Sequence, residues 1–563
     1  MTTQPPKLLL IGLDGATFDL LQPYIDQGYL PHLANLQANG CWGELCSTVP
    51  PFTAAAWSSF ITGCNPGQHG ILSFTTRDRF NYDLTGKGFV NASRFKQTLW
   101  EFLSEAGKQV GVVNVPLTYP ARPVNGYMVT GMLTPPDAPQ FTYPPDLAAQ
   151  LGSDYQIDVE FIRDEAGFRL HNMPPKADMM AQIRRVTAVR TQIALRLLTE
   201  KPWDFFMMVY TGTDRLSHFF WDDMMAAMAQ GDLAGSTPMQ QQACRYLQEV
   251  DAGIGQLIAQ AGPDTNVMII SDHGFGAAPT QRVYLNVWLE AAGFLQRRPA
   301  TGLSDWEYWR VQIGRNKWLK QILRQILPQS VQDKTKEVAE SASSPIFDWS
   351  QTKAYGVPIY FHVCGVEINL IGRQREGCVP AADYEALRQQ IIDEAQQLRH
   401  PATGQPLVQR VARREELYQG EYVETFPDVI LVFDPDLVAA FSVAGSQLVE
   451  PHPHPIRPGE HRDEGLFMAA GPLFESQSTA LTGLNLIDVP ATVLHSLGLP
   501  VPPHFDGRVL TEIFDPDWLA AHPVVHDNPP VVWHAPDAAQ AQQPSAMAEA
   551  ALEKRLRGLG YID

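Results

Sequence analysis

Three apolar runs constrain this chain more than any other feature. LLLIGLDG carries Asp14 at its end, WDFFMMVYTGTD closes on Asp214, and NVMIISDHG carries Asp272 followed by His273. Each run is strand-length and apolar throughout, the pattern of a strand covered on both faces, as in a parallel sheet. Open sheets of that kind bind ligands at the carboxyl ends of their strands. A single Asp after an apolar run is ordinarily a turn residue or a helix cap. Three of them, one followed by a histidine and one with His218 four residues later, predict a shared edge rich in carboxylates and imidazoles.

Helical spacing surrounds these runs, as in Met179 to Thr199, where apolar residues recur every three or four positions. The fold class expected is therefore α/β, a central and mostly parallel sheet flanked by helices. A chain of 563 residues exceeds one ordinary domain. The core is expected in three parts, 1–132, 177–300 and 345–512. Residues 133–176, rich in Pro and Asp, and 301–344, polar and basic with interleaved Trp and Leu, read as insertions forming a cap over the active edge. Residues 513–563, Pro- and Ala-rich before a short charged helix, read as a peripheral tail.

The charge balance narrows the partners. The net formal charge is −19 and no long Lys/Arg run occurs, so the electrostatic footprint of a nucleic-acid duplex binder is missing. An anionic protein acting on an anionic phosphate needs local positive potential, and bound cations supply it. No segment reaches the roughly 18 uninterrupted apolar residues of a membrane span. The six cysteines are scattered without CxxC spacing, which indicates neither a disulfide framework nor a thiolate zinc site. A cytoplasmic location is expected.

Asp214 and His218 share a face if a helix starts at TGTDRLSHFF, a spacing that suits two ligands on one metal. Asp272 and His273 end a strand, where a loop can turn both toward one site. Mixed Asp and His ligation suits zinc, with manganese or iron possible. His461 stands far downstream in GEHRDEGLF. The nucleophile candidate is Thr53 in TVPPFTAAAWSSFITGCNPGQHGI, placed by the Pro-Pro pair at or near a helix N-terminus. Free N–H groups at such an end favour a phosphate, although Thr is also a preferred cap residue.

The set LLLIGLDG, TVPPFTAAAWSSFITGCNPGQHGI, TDRLSHFF, SDHGFG and GEHRDEG resembles the alkaline phosphatase superfamily, in its type I phosphodiesterase/nucleotide pyrophosphatase branch and the bacterial phosphohydrolase/phosphomutase-like proteins near it. The resemblance runs from Lys7 to about Leu510. It implies the three-layer sandwich of that superfamily, a metal-dependent phosphoric ester hydrolase, and a phosphothreonine intermediate on Thr53. It also implies two divalent ions, zinc or manganese. Asp14, Thr53, Asp272 and His273 would surround one, and Asp214, His218 and His461 would hold the other. The partner implied is a small phosphorylated substrate, with a diester or nucleotide pyrophosphate foremost and a phosphomonoesterase or phosphomutase as alternatives.

One departure bears on substrate. The nucleotide pyrophosphatases place an Asn beyond the nucleophile, and here Ala54, Ala55, Ala56 and Trp57 follow Thr53. Losing one preorganised donor costs roughly 3 kcal/mol of transition-state stabilisation unless another replaces it. A sulfatase would need a C/S-x-P-x-R motif around the nucleophile, and none is present. A non-catalytic metal-binding protein of the same fold would be expected to have lost a ligand or the nucleophile. His69, His452 and His454 read as loop residues, Arg282 and Arg462 as phosphate contacts or surface residues, and Asn369 and Arg373 belong to a recurring pattern with no assigned role.

Overall fold

A computed structural model describes residues 6–82, 88–136, 138–161, 173–299, 346–443, 445–452, 457–535, 546–559 and 561. The chain divides into two compact units. The first comprises Met1–Phe74, Phe89–Ala277 and Ile456–Asp563, and the second Thr75–Gly88 and Ala278–Pro455.

In chain order the first unit contributes β1 (Lys7–Leu13), β2 (Cys41–Cys46), β3 (Val110–Val115), β4 (Gly126–Thr130), β5 (Thr142–Tyr143), β6 (Phe205–Tyr210), β7 (Thr265–Ile270) and β8 (Gly274–Ala277). The second contributes β9 (Gln281–Tyr284), β10 (Ala354–Tyr360), β11 (Val363–Ile368), β12 (Val408–Arg413), β13 (Val429–Phe433), β14 (Leu437–Ala440) and β15 (Val449–Pro451). The chain then returns to the first unit with β16 (Gly459–Arg462), β17 (Glu464–Ala470) and β18 (Leu481–Asn485).

The main sheet has the order β18-β2-β17-β7-β1-β6-β3-β4-β5. The three apolar runs that carry Asp14, Asp214 and Asp272 are its three adjacent strands β7, β1 and β6, all parallel, with Leu8 opposite Phe205 on one side and Asn266 on the other. Their carboxyl ends are level, since Leu13 pairs with Tyr210 and Gly12 with Ile270. Only β17, against β2 and β7, and β5, against β4, run antiparallel in this sheet. The sheet is mostly parallel, as the unbroken apolar runs require.

Alternation along β1 sorts the two helical layers. Leu9, Ile11 and Leu13 join Phe206, Met208 and Ile269 in one buried cluster with residues of the helices Phe18–Asp26, Lys176–Glu200, Gly212–Ala229 and Pro238–Ala261. Gly12 faces the other way, toward the helix Thr53–Thr62. A Cβ at Gly12 would lie 2.7 Å from the Trp57 indole, so only glycine lets that helix approach β1. Ile269 is fully buried in β7. Ile269→Ala is expected to lower the unfolding free energy by about 2–5 kcal/mol, measured as a shift in urea midpoint at constant m.

Two expected boundaries differ from the structure. Residues 345–512 do not form one part of the core. β10, β11, β13 and β12 pair among themselves, and Tyr355, Val366 and Leu431 pack with Leu285 and Leu289 in a core of their own. Residues up to 455 therefore belong with the second unit and those from 456 with the first. Within 133–176, β5 extends the edge of the main sheet through Thr142 opposite Val129 instead of forming a separate cap. The reason in both cases is which strand each segment takes as its backbone partner. The 301–344 insertion lies outside the described residues.

Nor are residues 546–561 peripheral. The helix Ala546–Gly558 is amphipathic, with Leu552 and Leu556 buried, and Leu559 beyond it is buried as well. Arg555 Nη1 donates to the Thr134 carbonyl at 3.2 Å. Among the described residues no helix is long and apolar enough to cross a membrane.

Candidate active site

Five elements of the first unit, β1, β7, β16 and the helices Thr53–Thr62 and Gly212–Ala229, deliver the candidate residues to one place. Asp14 follows β1, and its amide donates to the Tyr210 carbonyl at the end of β6. Gly15, at φ +65°, turns the chain sharply enough for its amide to donate to Asp272 Oδ1 at 3.1 Å. Asp214 lies in the first turn of the helix Gly212–Ala229 with His218 one turn on, as the four-residue spacing predicts. His461 arrives on β16, which pairs antiparallel with β8 so that His461 stands opposite Phe275.

Thr53 is the first residue of the helix Thr53–Thr62. Phe52 is the N-cap, and it makes no side-chain cap bond. Thr53 therefore does not cap this helix. Its hydroxyl instead donates to His273 Nε2 at 3.2 Å, and the side chain is fully buried. The first amides of this helix have no partner within it.

The three histidines are oriented alike. Nδ1 of His218 lies 2.9 Å from the Gly459 carbonyl, Nδ1 of His273 lies 3.1 Å from that of Gly274, and Nδ1 of His461 lies 3.1 Å from that of Pro51. A carbonyl only accepts, so each Nδ1 holds the proton and each Nε2 presents a lone pair. Burial pushes all three imidazoles below their ordinary range, which favours the neutral, ligating form.

Those lone pairs converge. The Nε2 atoms of His218 and His461 are 3.0 Å apart, and Asp214 Oδ1 lies 3.4 Å from the first and 3.2 Å from the second. Ligands about 2.1 Å from a tetrahedral cation sit about 3.4 Å from one another. Asp14, Asp214 and His273 form a second set whose ligand atoms all lie within 4.8 Å. Asp272 Oδ2 adjoins it, 3.3 Å from His273 Nε2.

The carboxylates share a further property that decides whether cations fit. Each has one oxygen held by a donor: Asp14 Oδ2 by Trp57 Nε1 at 3.4 Å, Asp272 Oδ1 by the Gly15 amide, and Asp214 Oδ2 by the Tyr561 hydroxyl at 2.7 Å and by Arg215. The other oxygen of each, Asp14 Oδ1, Asp214 Oδ1 and Asp272 Oδ2, is buried with no hydrogen-bond donor among the described residues. An orphaned carboxylate oxygen is costly to bury. Three that face converging imidazole lone pairs make a donor set that a divalent cation satisfies. Burial, with the mutual repulsion of the acids added, pushes Asp14 and Asp272 well above the usual carboxylate range. Burial also opposes ionisation of Asp214, but His218, Arg215 and His461 hold it below that range.

All seven candidates, Asp14, Thr53, Asp214, His218, Asp272, His273 and His461, thus meet in one buried cluster. The other residues singled out from the sequence lie elsewhere or serve the frame. His69 bonds Ser59 Oγ through Nε2 and accepts from the Ile71 amide. Arg462 donates to the carbonyls of His461 and Ala277. Asn369 ties the carbonyls of Trp349, Thr352 and Glu376 together, and Arg373 pairs with Asp428. Arg282 lies on β9 and His452 follows β15, both in the second unit, and His454 is outside the described residues.

Three contributors escaped the sequence reading. Arg215 is buried between Asp214 and Asp158, the latter at 2.6 Å. Its position beside Asp214 was a signal. Arg457 Nη1 lies 3.3 Å from His218 Nε2, and Tyr561 reaches Asp214 from 347 residues away; neither has a local signature.

The family model for type I phosphodiesterase / nucleotide pyrophosphatase matches residues 8–454. No curated protein matches the chain significantly. Among solved structures, human ectonucleotide pyrophosphatase / phosphodiesterase 5 is 14% identical with a TM-score of 0.46, over 89% of this chain and 97% of that one. An inactive variant of the murine protein in complex with AMP is 13% identical with a TM-score of 0.46, over 89% and 96%. Phosphonoacetate hydrolase from Sinorhizobium meliloti 1021 in complex with phosphonoformate is 16% identical with a TM-score of 0.46, over 86% and 94%. With a family match over most of its length, the chain belongs to the type I phosphodiesterase / nucleotide pyrophosphatase family, and so to the phosphoester hydrolases of the alkaline phosphatase superfamily.

Proposed function

We propose that the protein is a two-metal phosphodiesterase that works through a covalent phosphothreonine on Thr53. The observation that carries this reading is the meeting of three orphaned carboxylate oxygens and three Nε2 lone pairs beside the buried Thr53 hydroxyl. Asp14, Asp272 and His273, with Thr53, would hold one ion, and Asp214, His218 and His461 the other. Two divalent ions, zinc or manganese, would supply about +4 against about −4 from three carboxylates and a threonine alkoxide, together with Lewis-acid activation of the phosphoryl group.

The chain's own residues account for the rest. Thr53 Oγ1 attacks phosphorus as the bond to the leaving oxygen breaks, giving phosphothreonine and an alcohol. Water then cleaves the phosphothreonine ester, restoring Thr53 and releasing a phosphate monoester. Two in-line displacements leave phosphorus with its original configuration. The first amides of the helix Thr53–Thr62 would donate to non-bridging oxygens that carry charge. They are the donors at hand where Ala54 to Ala56 leave no side-chain amide. The substrate is a small phosphorylated molecule, and the reading keeps the cytoplasmic location expected from the sequence.

The test is hydrolysis of bis-p-nitrophenyl phosphate against p-nitrophenyl phosphate with zinc or manganese, before and after chelation. Metal-dependent turnover with a large preference for the diester is expected, and chelation should abolish it. A preference for the monoester would make the protein a phosphomonoesterase. Turnover of neither ester, with metal bound, would bring forward a phosphomutase or a non-catalytic metal-binding protein.

A further inference from the structure

The donors that hold the three orphaned carboxylates come from very different places. Trp57, which holds Asp14, and Gly15, which holds Asp272, belong to the elements that form the site. The Tyr561 hydroxyl, which donates to Asp214 Oδ2 at 2.7 Å, comes from the far end of the sequence.

That segment is seated by its own contacts. Leu552, Leu556 and Leu559 are buried, the Tyr561 amide donates to the Leu556 carbonyl, and Arg457 Nη1 donates to the Leu559 carbonyl at 3.0 Å. The Tyr561 ring stands 5.2 Å from Phe74, 5.8 Å from the His218 ring and 6.0 Å from Phe52 between centroids. The Arg215 guanidinium lies 5.1 Å from the centre of the same ring. The hydroxyl is therefore delivered to a fixed point beside the cluster of Asp214, His218 and His461.

We propose that Tyr561 is a positioning residue for Asp214, and that the C-terminal segment is thereby a part of the metal centre. The inference rests on the metal-centre reading above. A donor on Oδ2 leaves Oδ1 turned toward His218 Nε2 and His461 Nε2, the direction in which a cation shared by the three would lie. Arg215 also holds Oδ2 but is drawn to Asp158 as well, so its guanidinium alone leaves the carboxylate freer to rotate. Removing an outer partner of a metal ligand typically costs about 10- to 100-fold in metal affinity.

The experiment is a competitive chelator titration with zinc on the full-length protein, alongside thermal unfolding at saturating zinc. The wild type is expected to bind two ions. Tyr561→Phe keeps the ring and removes only the hydroxyl. It is expected to weaken one site by about 10- to 100-fold, the same site that His461→Asn empties, with the other site and Tm unchanged. Unchanged affinity at both sites overturns the proposal, as does an equal loss at both accompanied by a lower Tm. A wild type that binds no divalent ion instead defeats the metal-centre reading, and this inference with it.

Discussion

Thr53→Ala is expected to lower diester turnover by about 10³-fold or more while metal content stays near that of the wild type. The hydroxyl is removed, and its partner among the described residues, His273 Nε2 at 3.2 Å, is also available to a cation. The helix does not depend on it, because Phe52 and not Thr53 occupies the N-cap. Alanine is a better helix former than threonine, so unfolding should be little altered. Thr53→Ser restores a hydroxyl at the same place and should recover part of the rate. Trapping with a radiolabelled phosphate ester by acid quench should label the wild type and leave Thr53→Ala unlabelled. Turnover near wild type in the alanine variant would remove Thr53 from the mechanism altogether.

Arg215→Met is expected to destabilise the protein by about 3–5 kcal/mol, read by urea denaturation with metal saturating. The side chain is fully buried, paired with Asp158 at 2.6 Å and with Asp214, and both acids are buried too. Methionine fills much of the volume but leaves Asp158 without its cation and strips Asp214 of one of the groups that keep it ionised. Breaking a buried pair from one side exposes the full desolvation penalty of the charge that remains. Arg557 offers the contrast. It pairs with Glu553 at 2.8 Å, but the two side chains are 40% and 47% exposed, and Arg557→Met should cost less than about 1 kcal/mol. Equal effects of the two substitutions would refute the buried-pair account.

The site was legible where chemistry and chain order coincide. Asp14 and Asp272 each end an apolar run, Asp214 and His218 share a helix turn, and Thr53 follows a Pro-Pro pair; each is a local pattern with a local cause. His461 was legible only through its motif, since nothing near GEHRDEG says that β16 pairs with β8 and carries the histidine to Asp214. Arg215 lay in plain view but reads from sequence like any basic residue on a helix. What marks it is Asp158, 57 residues away.

The division into units was harder to read because strands of both units are equally apolar. Val429 to Phe433 looks like another strand of the main sheet until its partners, β11 and β12, are known. The helix near the end of the chain was anticipated, but its polar composition suggested a free surface. Three leucines at spacings of three and four were enough to dock it.

By itself the sequence determined the layered α/β architecture, because unbroken apolar runs are stable only as strands buried on both faces. It also determined the chemical nature of the site, because, His461 on β16 apart, the carboxylates and imidazoles that can hold divalent cations follow those strands or lie on the helices beside them. Tertiary structure decided the rest: which oxygen of each carboxylate is orphaned, which imidazole nitrogen carries the proton, and that Tyr561 donates to Asp214. Apart from the local bond of His273 to the Gly274 carbonyl, these depend on hydrogen bonds between groups tens to hundreds of residues apart, such as His218 with Gly459 and Asp214 with Tyr561, and such bonds exist only once the sheet has brought those segments together.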